Sequence, residues 1–250
     1  MIKKNKNIVK NIIRESAGSL YYNLYKKFCK QIGNRTLIYH AFGSKLKHDS
    51  YGISINIKHF KEHMSFLKNN YPIIDCFSSL NMSSPLNSIS ITIDDGYKDT
   101  INAVDILNNY KMPFTLFIST GFIGIDGYLT ENDVFEISKL ESASIGSHGV
   151  THKKLSFCSD NNQFNELQES KKTLERITNK NIDSLSFPHG SFNNFTIDCL
   201  RKLDYKWAAS SLKGINNNNT DHYKIFRSEI ISSDKIKNLQ KKINGFYDFY

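Results

Sequence analysis

From residue 36 onward the chain switches back and forth between two hydrophobic rhythms, and this alternation limits the possible folds more than any other feature. Short runs rich in β-branched and aromatic residues recur: TLIYH (36–40), SISITI (88–93), FTLFIS (114–119), ASIGS (143–147), SLSF (184–187), KWAAS (206–210) and KIFRSEI (224–230). Between them lie segments with apolar residues three and four apart. The clearest is 57–70, with Ile57, Phe60, Met64 and Leu67; others cover 98–110, 130–140, 161–179, 194–203 and 233–243. The first rhythm predicts strands and the second helices. Thr130 with Asp133 predicts a capped start for the helix at 130–140. Strands that alternate with helices imply a parallel sheet, open or closed into a barrel, because parallel neighbours need a crossover between them. In both forms reactive side chains gather at the carboxyl ends of the strands. No internal repeat and no linker interrupts the pattern.

Composition narrows the partners. The chain has 250 residues and a formal charge of +9. Such a charge suits nucleic acid, a membrane surface or an anionic small substrate. The lysines are spread along the chain and no zinc-finger or RNA-recognition pattern accompanies them, so no nucleic-acid partner is expected. Cys29, Cys76, Cys158 and Cys199 form no C-x-x-C pair. That pattern fits reduced thiols in a cytoplasmic protein. No apolar run approaches the roughly 20 residues of a membrane span, and the basic start lacks a signal-peptide core. Residues 8–30 read as an amphipathic helix, with Val9, Ile12, Ile13, Ala17, Leu20, Tyr21, Leu24 and Phe28 on one face. Such a helix packs on a domain or lies on a membrane surface, and packing is the commoner use. The expected organisation is an N-terminal helical extension over 1–34 and one domain over 35–250.

The strand ends carry the chemistry. SISITI ends in Asp94–Asp95–Gly96, ASIGS in His148, SLSF in Pro188–His189–Gly190 and TLIYH in His40. Each has an ordinary structural explanation, since Asp-Asp-Gly also makes a turn with a helix cap and Pro-His-Gly a tight turn. That explanation does not account for four such coincidences. In SHGVTH (147–152), His148 and His152 stand one helical turn apart and can face one point. One aspartate and two imidazoles make a three-ligand set for a catalytic divalent cation such as zinc. The second aspartate can then serve as the base that takes a proton from water. Such machinery hydrolyses an amide or an ester.

TIDDG (92–96), SHGVTH (147–152) and SFPHG (186–190) resemble, in order, the three leading motifs of the NodB-homology polysaccharide deacetylases, carbohydrate esterase family four. LIYHAFG (37–43) and the helix at 55–70 also look like the opening of some members. The resemblance covers roughly residues 35–232. It implies a distorted (β/α) barrel of about seven parallel strands, here with an N-terminal amphipathic helix. By position it makes Asp94 the general base and Asp95, His148 and His152 the metal ligands. The metal is usually zinc. The implied reaction removes an N-acetyl group from an amino sugar of a glycan or glycan precursor.

Several positions depart from the family pattern. Gly149 stands where a Ser or Thr usually follows the first histidine. Ser186 stands where many members carry an arginine that orients the base, and Arg227 is the candidate to supply that charge from a later strand. His189 replaces an aromatic residue whose main-chain N–H serves the oxyanion. The late Leu-x-His motif, source of the general acid, has no match; IFRSEI (225–230) lies near its place. His40 is the preferred acid, followed by His189 and then His222. The absence of a secretion signal favours a cytoplasmic enzyme, at the inner face of the membrane if its substrate is lipid-linked, with the N-terminal helix as a peripheral membrane contact. Two alternatives remain: a same-fold amidase or deformylase on a small substrate, and an inactive glycan-binding protein.

Overall fold

The computed structural model describes residues 13, 15–26, 32–47, 49, 51–80 and 87–248. Among them seven strands form one parallel sheet: β1 (Asn34–Tyr39), β2 (Ser88–Ile93), β3 (Phe114–Ile118), β4 (Ala143–Ser147), β5 (Ser184–Ser186), β6 (Trp207–Ala209) and β7 (Arg227–Glu229). Their order is β6-β5-β4-β3-β2-β1-β7. The two edges nearly meet. Ile225, just ahead of β7, bridges Ala209 at the end of β6, and Ser210 N–H donates to the Ile225 carbonyl at 2.9 Å. The sheet is therefore a nearly closed, distorted (β/α) barrel, as expected.

Helices α1 (Ile57–Asn70), α2 (Thr100–Asn109), α3 (Glu131–Ser138), α4 (Asp160–Thr178), α5 (Asn194–Lys202) and α6 (Ile236–Ile243) surround it. The capping box of α3 forms as predicted: the Thr130 side chain accepts from Asp133 N–H, and Asp133 reaches back to the Thr130 N–H. No aspartate of the Asp-Asp-Gly turn caps α2; its N-cap is Asp99.

Strand alternation sorts side chains between two environments. Ile89, Ile91 and Ile93 join Leu37, Tyr39, Phe114 and Leu116 in the large apolar cluster beneath the helices. The intervening Ser88, Ser90 and Thr92 face the barrel interior, where Asn34 donates to Ser88 Oγ at 3.0 Å and Ser90 Oγ at 2.9 Å. A smaller cluster of Phe117, Trp207, Ala209, Ile225, Cys76 and Leu80 fills the rest of the lumen. Both faces of β1 and β2 are thus buried, as a covered parallel sheet requires. Trp207 is a core residue, stacked near Phe77 with ring centroids 6.3 Å apart.

The helix expected over 8–30 lies partly outside the described residues. What is described, helix over 15–21 continuing into a π-helical turn at Tyr22–Lys26, packs on the segment after α6. A Cβ at Gly18 would meet the Phe246 ring at 2.2 Å, and Tyr22 stands 6.1 Å from the same ring. Glu15 pairs with Lys241. No helix among the described residues is long and apolar enough to cross a membrane.

Candidate active site

The period of β2 carries Asp94 into the barrel mouth. It follows Ser88, Ser90 and Thr92 on the lumen side, two residues beyond the last of them. Its neighbour Asp95 would ordinarily point the other way. Asp95 instead takes a left-handed backbone, φ 77°, followed by Gly96 at φ 85°, and this turn returns its carboxylate to the site.

His148 leaves the end of β4. Its Nδ1 donates to the Ser186 carbonyl at 2.7 Å, which leaves the Nε2 lone pair directed at the site. His152 follows through a loop rather than the helical turn that the spacing suggested. Gly149 at φ 71° and His152 at φ 55° bend that loop back. The two imidazole centroids lie 4.8 Å apart. His148 Nε2 and His152 Nε2 stand 3.3 Å and 3.2 Å from Asp95 Oδ1. One ligand atom from each of these residues lies within 4.8 Å of the others.

These donors suit a divalent cation. Asp95 Oδ1 is buried and, among the described residues, accepts no aligned hydrogen bond, although two imidazole nitrogens approach it. Two buried carboxylates sit side by side, and Arg227 compensates only Asp94. Burial pushes the Asp95 carboxyl up, but the imidazoles of His148 and His152 outweigh it and hold it well below the usual carboxylate range. Burial pushes His148 down, yet Asp95 and Asp94 outweigh it and raise it above its ordinary value. The spot between Asp95 and the imidazoles therefore demands positive charge. A cation bound by two nitrogens and one carboxylate oxygen, with positions left open, meets that demand.

Asp94 is held differently. Arg227 Nη1 donates to its Oδ1 and Nη2 to its Oδ2, each at 2.8 Å. Nη2 also reaches Ser186 Oγ at 2.6 Å, Nη1 reaches Thr92 Oγ1 at 3.0 Å, and Nε reaches the Ser210 carbonyl at 2.9 Å. All five guanidinium donors are used, which is how an arginine can be only 1% exposed. Ser186 Oγ donates in turn to Asp94 Oδ2 at 2.8 Å. Burial pushes the Asp94 carboxyl up, but Arg227 and then His148 bring it below its ordinary value. Arg227 thus comes from β7 to the place that the sequence comparison left short of a guanidinium at Ser186.

A cleft of about 640 Å³ opens over these groups. His40, just after β1, lines it, and its Nδ1 is buried without a hydrogen-bond partner among the described residues. His189 lines it from the tight turn after β5, with φ 56° and its ring 4.5 Å from that of His152. Burial, then His152 and Lys154, push the His189 imidazole below its usual value. Gly190 and Ser191 N–H groups close that turn on the Phe187 and Pro188 carbonyls, without using the His189 N–H. Tyr97, Tyr128 and Phe122 form an aromatic wall, with Tyr128 in the middle at ring spacings of 5.0 Å from Tyr97 and 4.9 Å from Phe122. His222 does not line the cleft; its ring lies edge-on to Phe77 at 5.7 Å. The structure therefore brings Asp94, Asp95, His148, His152, His40 and His189 together and leaves His222 aside. Sequence reasoning gave no role to Glu166. Glu166 is one polar residue among many on a helix, and only its fold partners single it out.

Comparison with known proteins agrees with this geometry. A family model described as polysaccharide deacetylase matches residues 82–208. The Bacillus subtilis (strain 168) protein YxkH, named for polysaccharide deacetylases, is 27% identical over 203 residues, covering 78% of this chain and 70% of its own. The poly-beta-1,6-N-acetyl-D-glucosamine N-deacetylase of Staphylococcus aureus (strain MRSA252) is 27% identical over 180 residues, covering 66% of this chain; the match spans 61% of that enzyme's length. Among solved structures, the Streptococcus pyogenes deacetylase PplD in complex with acetate superposes with a TM-score of 0.75 at 23% identity, over 85% of this chain and 98% of that one. At this identity the last likeness bears on the fold alone.

Proposed function

The chain belongs to the polysaccharide deacetylase family, and on that premise we propose that it hydrolyses the N-acetyl group of an amino sugar in a glycan or glycan precursor. Asp95, His148 and His152 would hold a divalent cation, and two imidazoles with one carboxylate are a set that zinc accepts; zinc is the choice that the family resemblance suggests. The observation that carries this reading is the pairing of two unlike carboxylates. Asp95 Oδ1 faces two imidazoles without a hydrogen bond, while Asp94 beside it is locked by Arg227.

When bound, the cation supplies Lewis-acid polarisation of the acyl group and acidifies the attacking water. Asp94 is the base that takes the proton from that water. Arg227 and Ser186 fix its orientation and Arg227 keeps it ionised; Oδ2 accepts from both, whereas Oδ1 accepts from Arg227 alone and keeps a second lone pair to offer. His40 is the acid that protonates the departing amine, because it lines the same cleft from the strand beside β2. The main-chain N–H of His189, at the wall of the same cleft, would help hold the oxyanion. Tyr97 and Tyr128 offer faces for a sugar ring.

The name of the staphylococcal relative makes β-1,6-linked N-acetylglucosamine oligomers the first substrates to try. A lipid-linked form is supported by the +9 charge and by Ile13, Leu20 and Leu24, which share one exposed helix face. A cytoplasmic setting accords with the thiol state of Cys76, Cys158 and Cys199. The test is acetate release from a panel of N-acetylated oligosaccharides, with metal analysis of the purified protein and Asp95→Ala as control. Acetate release that needs both the metal and Asp95 supports the reading; metal-free protein of undiminished activity defeats it.

A further inference from the structure

The loop that carries both imidazoles is short, and its conformation is an unfavourable one. His152 is a non-glycine residue at φ 55°, and Gly149 lies at φ 71°. Such a backbone persists only where its surroundings fix it. One side of the loop is held through its carbonyls: Thr120 N–H donates to the Gly149 carbonyl at 3.0 Å and Gly121 N–H to that of Val150 at 2.8 Å. The other side is held through its amides by a single carboxylate. Val150 N–H and Thr151 N–H both donate to Glu166 Oε2 at 2.8 Å, and the Thr151 hydroxyl donates to Glu166 Oε1 at 2.5 Å.

Glu166 stands on α4 and is 8% exposed. No ion pair joins it among the described residues, so its buried charge is met by these loop donors. A buried carboxylate needs such partners, and the loop amides need an acceptor. Gly149 is matched to this arrangement. A Cβ there would lie 3.2 Å from Glu166 Oε2, tight enough to press the carboxylate away from the amides.

We infer that Glu166 is a positioning residue for metal binding: by clamping the Val150 and Thr151 amides it holds His148 and His152 at the separation a cation needs. This rests on the metal reading of the Asp95–His148–His152 set and not on the identity of the substrate. Among the described residues Glu166 makes no hydrogen bond to a ligand side chain, so it acts through loop geometry. Removal of groups that orient metal ligands commonly weakens metal affinity about 10–100-fold.

The test titrates metal-free protein with Zn²⁺ against a chromogenic chelator and records its melting temperature without metal. Glu166→Ala is expected to lose about 10–100-fold in zinc affinity. Glu166→Gln is expected to retain most of it, since its amide oxygen can accept both N–H groups while its NH₂ donates to the Thr151 hydroxyl. Thr151→Val, which deletes one of the three contacts, is expected to fall between wild type and Glu166→Ala. A folded Glu166→Ala with wild-type zinc affinity overturns the inference, as does an equal loss in Glu166→Gln and Glu166→Ala. If Glu166→Ala does not fold, Thr151→Val decides: a lower melting temperature with unchanged zinc affinity means a structural role only and overturns it. Wild-type protein that takes up no zinc removes the site reading and this inference together. Wild-type protein that binds zinc but releases no acetate defeats the proposed activity alone.

Discussion

Arg227 and Asp94, 133 residues apart in sequence, meet through two parallel hydrogen bonds inside the barrel. The pair is buried, so removing one member leaves the other charge uncompensated, at a cost of about 3–5 kcal/mol. Arg227→Met is expected to lose that much in urea unfolding. Arg227→Lys keeps the charge and loses the fork. It is expected to lower kcat by about 10²–10³, within the range general-base catalysis supplies, with KM little changed. An Arg227→Lys enzyme with wild-type kcat would remove Arg227 from the positioning of the base.

Metal removal separates the two carboxylates. Dialysis against a chelator is expected to abolish acetate release and lower the melting temperature, and added Zn²⁺ should restore both. In Asp95→Asn the melting temperature should no longer respond to Zn²⁺. Asp94→Asn should keep the zinc response and lose turnover, because Asp94 is bound by Arg227 rather than turned to the cation. Loss of zinc binding in Asp94→Asn would reverse these assignments.

The acid can be found by changing the leaving group. An amine must be protonated as it departs, whereas a nitrophenolate need not be. His40→Ala is expected to lose about 10²–10⁴ in amide hydrolysis and far less on an activated acetate ester. His189→Ala should change both substrates equally, since its ring lies beside His152. If His40→Ala cleaves the amide at the wild-type rate, the acid is another group.

Position 149 tests the matched glycine. At φ 71° any side chain is strained, and one here also presses on Glu166. Gly149→Ala is expected to destabilise the protein by about 1–2 kcal/mol in chemical denaturation. A neutral result would mean that the loop shifts freely, and the clamp is then weaker than its geometry implies.

Asp49 brackets the loop that presents Tyr51 to the cleft. Its Oδ1 accepts Tyr51 N–H at 2.9 Å and Gly52 N–H at 2.6 Å. Burial pushes its carboxyl up, but the backbone N–H groups of Gly52, Ile53, Tyr51 and Ser54 prevail and lower it. A depressed native value adds stability above the ordinary carboxylate range, and that stability disappears as pH falls through the native value. The melting-temperature advantage of wild type over Asp49→Asn should therefore be full at neutral pH and shrink below about pH 4. An advantage independent of pH would mean that the ionised form has no special role.

Local pattern made much of this legible. The run SISITI foretold a strand that ends at Asp94, because strand periodicity is a property of neighbouring residues. The Thr130–Asp133 cap was equally local. His148 and His152 were legible as a pair, but not their geometry: the spacing suggested a helical turn, and the chain makes a left-handed loop. Arg227 was a candidate on sequence, whereas the serine beside it in the network, Ser186, read only as a departure. Glu166 gave no signal, since its partners lie 15 and 16 residues away across a turn of the fold.

By itself, the sequence determined the order of strands and helices and which ionisable residues end the strands, because both follow from short-range periodicity and chain order. Tertiary structure decided how those residues divide the labour. Pairing with β1 brings β7 over the site, so a guanidinium reaches Asp94 and, among the described residues, none reaches Asp95. Burial then makes that difference count, since a charge removed from water must be met by whatever neighbour the fold supplies.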